Sequence, residues 1–235
     1  MQSATRRSLL IGSASIIAGT KNLTPVVDAV DHLLLGVSDL DRGIDWVERR
    51  TGVRAAAGGI HPGVGTRNAL LSLGAGHYLE IIAPDPSQPV YKFRLDVRLF
   101  TEPRLVTFAA ATKDIEATAA IARAAGYEVS GPNAGSRQVP SGQTLRWRTL
   151  GVLNQLGSGG IEPVPFFIQW DLDAPHPSRS TPADCELDSL EFQHSTPSDL
   201  SAALRELGID GKVSQAGAVR IIARLKTPKG RVELS

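Results

Sequence analysis

The 235 residues are 42% hydrophobic and 21% charged, a globular composition that sets aside disorder, collagen-like repeats and a long coiled coil. Lys and Arg number 25 against 24 Asp and Glu, and a net charge of +1 is too small for the electrostatic footprint of a nucleic-acid binder. The single cysteine, Cys185, excludes an intrachain disulfide and a thiolate metal cage, so any metal must use His, carboxylate and amide ligands.

Arg6-Arg7 precede an apolar run from Ser8 to Thr20 that carries no charge and falls short of the roughly 20 residues a membrane helix needs. A positive start and a short apolar stretch read as an export signal over residues 1–24, and Arg6-Arg7-Ser8-Leu9-Leu10 resembles the twin-arginine type. The expected location is periplasmic or secreted. The alternative is a cytoplasmic chain, because the nearest cleavage-like site, Val27-Asp28-Ala29, leaves almost nothing before the first strand. No later segment reaches membrane-spanning length.

The remaining chain repeats itself. Val30 to Val37 is an apolar, strand-like run; Ser38-Asp39-Leu40 then opens a helix closed by Gly52, with a polar cap before it and a glycine after it. Leu105 to Thr112, Lys113-Asp114-Ile115 and Gly126 repeat this pattern with nearly equal spacing. Leu187 to His194, Ser198-Asp199-Leu200 and Gly208 repeat it once more, about one helical turn shorter. Each helix is followed by strand-like segments. The first is followed by Thr66 to Leu73 and His77 to Ala83, joined by a glycine turn, and the second by Thr144 to Leu150 and Pro165 to Trp170 across a glycine-rich insertion. The third is followed by Val219 to Leu225 and Arg231 to Leu234. The expected fold class is α+β. Modules of βαββ or βαβββ form a mixed sheet with helices outside, and the other face curls over a core or a cavity. The expected divisions are 25–102 and 103–178 for two full modules and 179–235 for a partial third.

Tandem modules that open Val30-Asp31-His32-Leu33 and close Tyr78-Leu79-Glu80-Ile81-Ile82 resemble the vicinal oxygen chelate superfamily, which includes glyoxalase I, extradiol dioxygenases and bleomycin-resistance proteins. Gly59 to Leu70 and Leu145-Arg146-Trp147-Arg148 resemble its glyoxalase-like domain group. The resemblance implies a metal site inside the curled sheet, with ligands from the first and last strands of each module. Carried over, it selects His32 and Glu80 in the first module. In the second it selects Thr107 and Gln169, which depart from the superfamily pattern. The implied metal set is therefore His32, Glu80 and Gln169. A site with one carboxylate and neutral donors is a weak one for Zn, Fe, Ni or Mn. One divalent ion and no ion, with His32 and Glu80 hydrogen-bonded instead, both stay open.

Period 2 along extended strands places His32, Leu34 and Gly36 together on one face of their strand, and likewise Tyr78, Glu80 and Ile82 on one face of theirs. His61 opens a His-Pro-Gly-Val-Gly loop, while Arg67 and Asn68 point to opposite faces and Arg146 alternates with Trp147. The expected catalytic residues are Glu80 and His32, and the expected ligand-binding residues are His61, Arg67, Asn68, Arg146 and Trp147. His77, His176 and His194 read as hairpin surface, linker and structural residue. No nucleophile elbow, phosphate-cradling loop or His-Glu-x-x-His motif is present. Two functions remain. One is a lyase, isomerase or dioxygenase acting on a small oxygenated, anionic metabolite; the other is a metal-free protein that binds or sequesters a small molecule. The expected partner is a small-molecule ligand, with no nucleic acid, no membrane span and a monomer or homodimer.

Overall fold

The computed structural model describes residues 22–138, 144–173 and 175–235. All but the last three residues of the expected export signal lie outside the described residues. In chain order the elements are β1 (Thr24–Pro25), α1 (Val26–Ala29), β2 (Val30–Gly36), α2 (Leu40–Thr51), β3 (Ala56–His61), β4 (Thr66–Ser72) and β5 (Tyr78–Pro84). They continue as β6 (Arg104–Ala111), α3 (Ile115–Ala124), β7 (Val129–Gln138), β8 (Thr144–Val152), β9 (Phe166–Trp170), β10 (Glu186–His194) and α4 (Pro197–Glu206). The last four strands are β11 (Ile209–Asp210), β12 (Lys212–Gln215), β13 (Arg220–Thr227) and β14 (Gly230–Leu234).

The helix boundaries follow local chemistry. Asp39 accepts from the Arg42 N–H at 2.8 Å, which satisfies one of the orphan donors at the start of α2. Gly52 closes that helix at φ 84°, a left-handed conformation that costs glycine little. Leu40, Ile44, Val47 and Thr51 form its buried stripe. Asp114 caps α3 in the same way, accepting from Glu116 N and Ala117 N. The third helix differs from expectation: α4 begins at Pro197 with Thr196 before it and no side-chain cap. Proline's fixed φ suits the first helical position and moves the start ahead of Ser198-Asp199.

Eight strands form one sheet in the order β3-β4-β5-β2-β6-β9-β8-β7. The two halves mirror each other about the antiparallel β2–β6 pair, so each βαβββ module supplies four strands. The sheet curls until its outermost strands, β3 and β7, meet. Alternation divides its faces. Leu33, Leu35, Leu79, Ile81, Phe108 and Phe167 pack outward in the main core, which also receives buried residues of α2 and α3. The inward residues line a cavity. The third module keeps its own four-stranded sheet, β12-β10-β13-β14, and packs on the eight-stranded sheet through contacts such as Phe108 against Phe192 at 5.7 Å. A parallel β1–β11 pair ties the start of the described chain to that module. Among the described residues no helix is long and apolar enough to cross a membrane.

Candidate functional site

The concave face encloses about 540 Å³. Its walls are mostly apolar, with Leu34, Ile82, Phe93, Phe166 and Ile168 among them, and its polar groups converge on one floor. That is the ordinary construction of a small-molecule site.

The floor is built from neighbouring strands. His32 on β2 stands beside Tyr78, and Leu34 beside Glu80, in the parallel β2–β5 register. Asn68 on β4 pairs across to Ile82 on the same face. Glu80 is 7% exposed and His32 3%, so neither could remain without partners in an apolar wall. Glu80 Oε1 accepts from Asn68 Nδ2 at 2.7 Å, and its Oε2 faces His32 Nε2 at 3.4 Å. Because a carboxylate offers no donor, this contact fixes which way the Asn68 amide points. His61 Nε2 lies 3.3 Å from Asn68 Nδ2 and must accept there, so its Nδ1–H donates to Thr66 Oγ1 at 2.8 Å. Burial pushes the His61 imidazole pKa down, outweighing the pull of Glu80, and the nearby Arg137 and His32 lower it further. The Tyr78 ring stacks under His32 at 4.5 Å, and burial together with the Glu80 and Asp31 charges pushes its phenol well above the usual range.

Behind His32 lies a residue that sequence reasoning passed over. The β2–β6 ladder slips between Val30 and His32, leaving Asp31 unpaired as a bulge. The bulge brings two adjacent side chains together, and Asp31 Oδ1 accepts from His32 Nδ1 at 2.7 Å. Asp31 Oδ2 accepts from Trp170 Nε1 at 2.9 Å and from His176 Nε2 at 3.1 Å. Ser178 N–H donates to His176 Nδ1, which leaves Nε2 of that ring as the donor to Asp31. Burial alone would raise the Asp31 carboxyl, but the His176 and His32 hydrogen bonds and charges outweigh it and hold it well below the usual carboxylate range. His176, expected as plain linker, therefore belongs to the site's supporting shell.

The structure sorts the expected site residues clearly. His32, Glu80, His61, Asn68 and Trp147 share the cavity. Arg67 turns to the other face of β4 and acts electrostatically on Asp85, while Arg146 is exposed. Neither lines the cavity. Gln169 also points away: its Oε1 accepts from Ile115 N and its Nε2 donates to the Lys113 carbonyl, both at 3.0 Å, at the start of α3. Its neighbours Ile168 and Trp170 face inward instead. The residue of β9 that stands where Glu80 stands on β5 is Phe166: Leu34 pairs with Glu80 in one half and Ala109 with Phe166 in the other. An alignment off by an odd number of residues puts the wrong face of a strand inside. Thr107 is buried opposite Leu34 and lines an adjoining 310 Å³ pocket. His77 donates to the Val30 carbonyl at 2.7 Å, and His194 lies 2.9 Å from the Leu156 carbonyl; both are structural. The one arginine or lysine in the cavity lining among the described residues, Arg137 on β7, was not among the expected residues.

The donors do not fit the metal set implied by the sequence resemblance. Gln169 is outside the cavity, and an aromatic ring occupies the matching place on β9. Among the described residues no group of three His, Cys, Asp or Glu side chains is placed to hold a metal ion.

Paired βαβββ modules that wrap one sheet around a cavity define a vicinal oxygen chelate domain. The chain belongs to the glyoxalase-like domain family, which matches residues 30–208. No curated protein matches the sequence. Among solved structures, a hypothetical protein from Staphylococcus aureus superposes with a TM-score of 0.64 at 18% identity, over 81% of this chain and 87% of that one. Methylmalonyl-CoA epimerase from Mycobacterium tuberculosis gives 0.42 at 22% identity, covering 66% and 95%. A variant of the Streptomyces coelicolor methylmalonyl-CoA epimerase, in complex with 2-nitronate-propionyl-CoA, gives 0.44 at 18% identity, covering 65% and 99%. The first is a likeness of fold, and the fold hosts many chemistries.

Proposed function

We propose that this protein is a glyoxalase-like lyase or isomerase that moves a proton on a small oxygenated metabolite, with Glu80 exchanging the proton and His32 as its positioned partner. The observation that carries this reading is the buried line Asp31, His32, Glu80, Asn68 along the floor of an otherwise apolar cavity. A lone pair on His32 Nε2 facing a Glu80 carboxylate oxygen is repulsive unless a proton lies between them. The pair is therefore built to take up and release one. Asp31 holds Nδ1–H of His32 and so keeps Nε2 turned toward Glu80.

The step follows from these positions. Glu80 takes a proton from a carbon next to a carbonyl, the C–H pair becomes the C=C of an enolate, and the carbonyl π pair moves to oxygen. Returning the proton to the other face of the same carbon completes an epimerisation. Where that carbon carries a hydroxyl, the proton can return to the former carbonyl carbon while the hydroxyl proton passes to the enolate oxygen; C–OH becomes C=O, the old carbonyl becomes an alcohol, and an isomerisation is complete. Departure of a group from the next carbon, with its bonding pair, completes an elimination. Asn68 keeps one Glu80 oxygen fixed so that the other meets substrate, and the apolar walls exclude water that would compete for the proton. A second reading, a binding or sequestering protein, is favoured by Phe166 in place of a polar group on β9. We also assign residues 1–24 to export, which an Arg6→Lys, Arg7→Lys variant should abolish in cell fractionation.

The test is C–H exchange in deuterium oxide, followed by NMR over a panel of oxo and hydroxy acids, with elemental analysis of the same preparation. Glu80→Gln should lower exchange by about 10² or more while the protein remains folded. Compounds that raise the melting temperature of both proteins, yet exchange in neither, would replace the enzyme by the sequestering reading.

A further inference from the structure

We infer that Arg137 is the anchor of a carboxylate-binding subsite in the cavity, facing the proton-transfer floor. Among the described residues it is the one arginine or lysine in the cavity lining. Arg54, Arg98, Arg148 and Arg224 each pair with Asp or Glu. Arg137 has no carboxylate within 4 Å among the described residues, although it lines a cavity whose walls are largely apolar. Among the described residues its one side-chain hydrogen bond goes from Nη1 to the carbonyl of Gly58 on the opposite edge strand. A guanidinium carries five N–H donors, so most of its fork remains open for a ligand.

The sheet is shaped to seat it. The β3–β4 ladder slips between Ala57 and Gly59, making Gly58 a bulge whose carbonyl Arg137 reaches. A side chain at this position would displace both groups: a Cβ on Gly58 would lie 2.9 Å from Arg137 Nη1 and 2.3 Å from Asn68 Oδ1. Among the described residues Asn68 Oδ1 is itself buried without a partner, and it borders the same space beside Gly58 as the guanidinium. Its oxygen favours a positive group at that spot. Arg137 is also close enough to depress the pKa of His61, so its charge reaches the polar floor.

These features select the ligand. One guanidinium supplies one positive charge and planar paired donors, which match a carboxylate; a phosphate dianion would ask for more donors than this wall provides. Trp147 and Trp170, with ring centroids 5.4 Å apart, and Phe93 offer flat apolar surface for the rest of the molecule. The inferred substrate class is therefore a carboxylate with an aromatic or bulky apolar tail, its reacting carbon held between Arg137 and Glu80. This assignment rests on the proton-transfer reading for its orientation, but binding alone tests it.

The experiment is calorimetric titration of phenylacetate, phenylacetamide and benzylphosphonate into the full protein, Arg137→Gln, Arg137→Lys and Glu80→Gln. Phenylacetate should bind the wild type and Glu80→Gln, with phenylacetamide about tenfold weaker or more. Arg137→Gln should lose about tenfold or more for phenylacetate and little for the amide, and Arg137→Lys should fall between. Equal binding of acid and amide, unchanged phenylacetate binding in both Arg137 variants, tighter binding of the phosphonate, or no binding of phenylacetate at 10 mM (roughly the weakest end of millimolar recognition) would overturn it. Loss of carbon–hydrogen exchange in Glu80→Gln with carboxylate binding kept supports both proposals. Carboxylate binding that depends on Arg137, without exchange in any variant, sinks the proton-transfer reading and leaves this one standing.

Discussion

Asp31 is the residue on which the site's geometry turns. Buried and bonded by His32, Trp170 and His176, it uses both oxygens as acceptors. Asparagine has nearly the same shape but replaces one acceptor by an N–H, so either His32 Nδ1–H or the Trp170 and His176 donors must then face a donor. We predict that Asp31→Asn costs about 3 kcal/mol of stability in urea titration, the range for breaking a buried charged network. It should also lower Glu80-dependent exchange, because Nδ1 of His32 loses the acceptor that sets its tautomer; long-range ¹H–¹⁵N correlation spectra of the imidazoles report that change directly. Trp170→Phe keeps the apolar ring in the wall and removes one donor, so its expected cost is smaller, about 1 kcal/mol. Equal losses in the two variants would mean that the indole packing, rather than the aspartate network, holds this corner.

The helix starts and the strand registers decide which side chains reach the cavity. Gln169 illustrates the point: its amide bonds Ile115 N–H and the Lys113 carbonyl, where α3 leaves backbone groups unsatisfied. Gln169→Ala should therefore destabilise the protein by about 1 kcal/mol in denaturant titration and leave phenylacetate affinity unchanged. A loss of ligand binding without a loss of stability would return Gln169 to the site. Periodicity and capping made most elements legible in the sequence. Asp39 and Asp114 do cap α2 and α3, and the Tyr78, Glu80, Ile82 alternation does face inward. What the pattern hid lies in glycine-bearing strands and bulges. Residues of β3 and β7 such as Gly58, Gly59, Gly131 and Gly135 interrupt the apolar alternation by which strands are recognised, so Arg137 had no element to stand on. Asp31 beside His32 should point to the opposite face, and only the ladder slip at the bulge brings them together. Phe166 is found by strand pairing, which period 2 along one strand does not specify.

At the scale of the whole molecule, two buried groups set how stability changes with pH. Asp31 binds its proton far less readily in the fold than in the unfolded chain. Its contribution is therefore fully present above the ordinary carboxylate value near 3.8 and is lost as pH falls below it. His61 acts in a different window with the same sign. Burial lowers its folded pKa, so below the ordinary value of 6.5 the unfolded chain takes up a proton that the folded chain does not. In that window stability falls as pH falls, with a limiting slope of about 1.4 kcal/mol per pH unit for one proton. The expected profile is flat from about pH 8 to the ordinary histidine value, declines below it, and declines again through the acid range, because proton uptake by the unfolded chain drives acid unfolding. Urea midpoints measured across that range for the wild type and His61→Gln separate the two contributions. The variant should lose the first decline and keep the second, because glutamine cannot bind the proton while Asp31 is untouched. If the first decline persists in His61→Gln, the imidazole beside Glu80 is not the group that charges on unfolding, and the neutral His61 inferred from its Thr66 and Asn68 contacts is wrong.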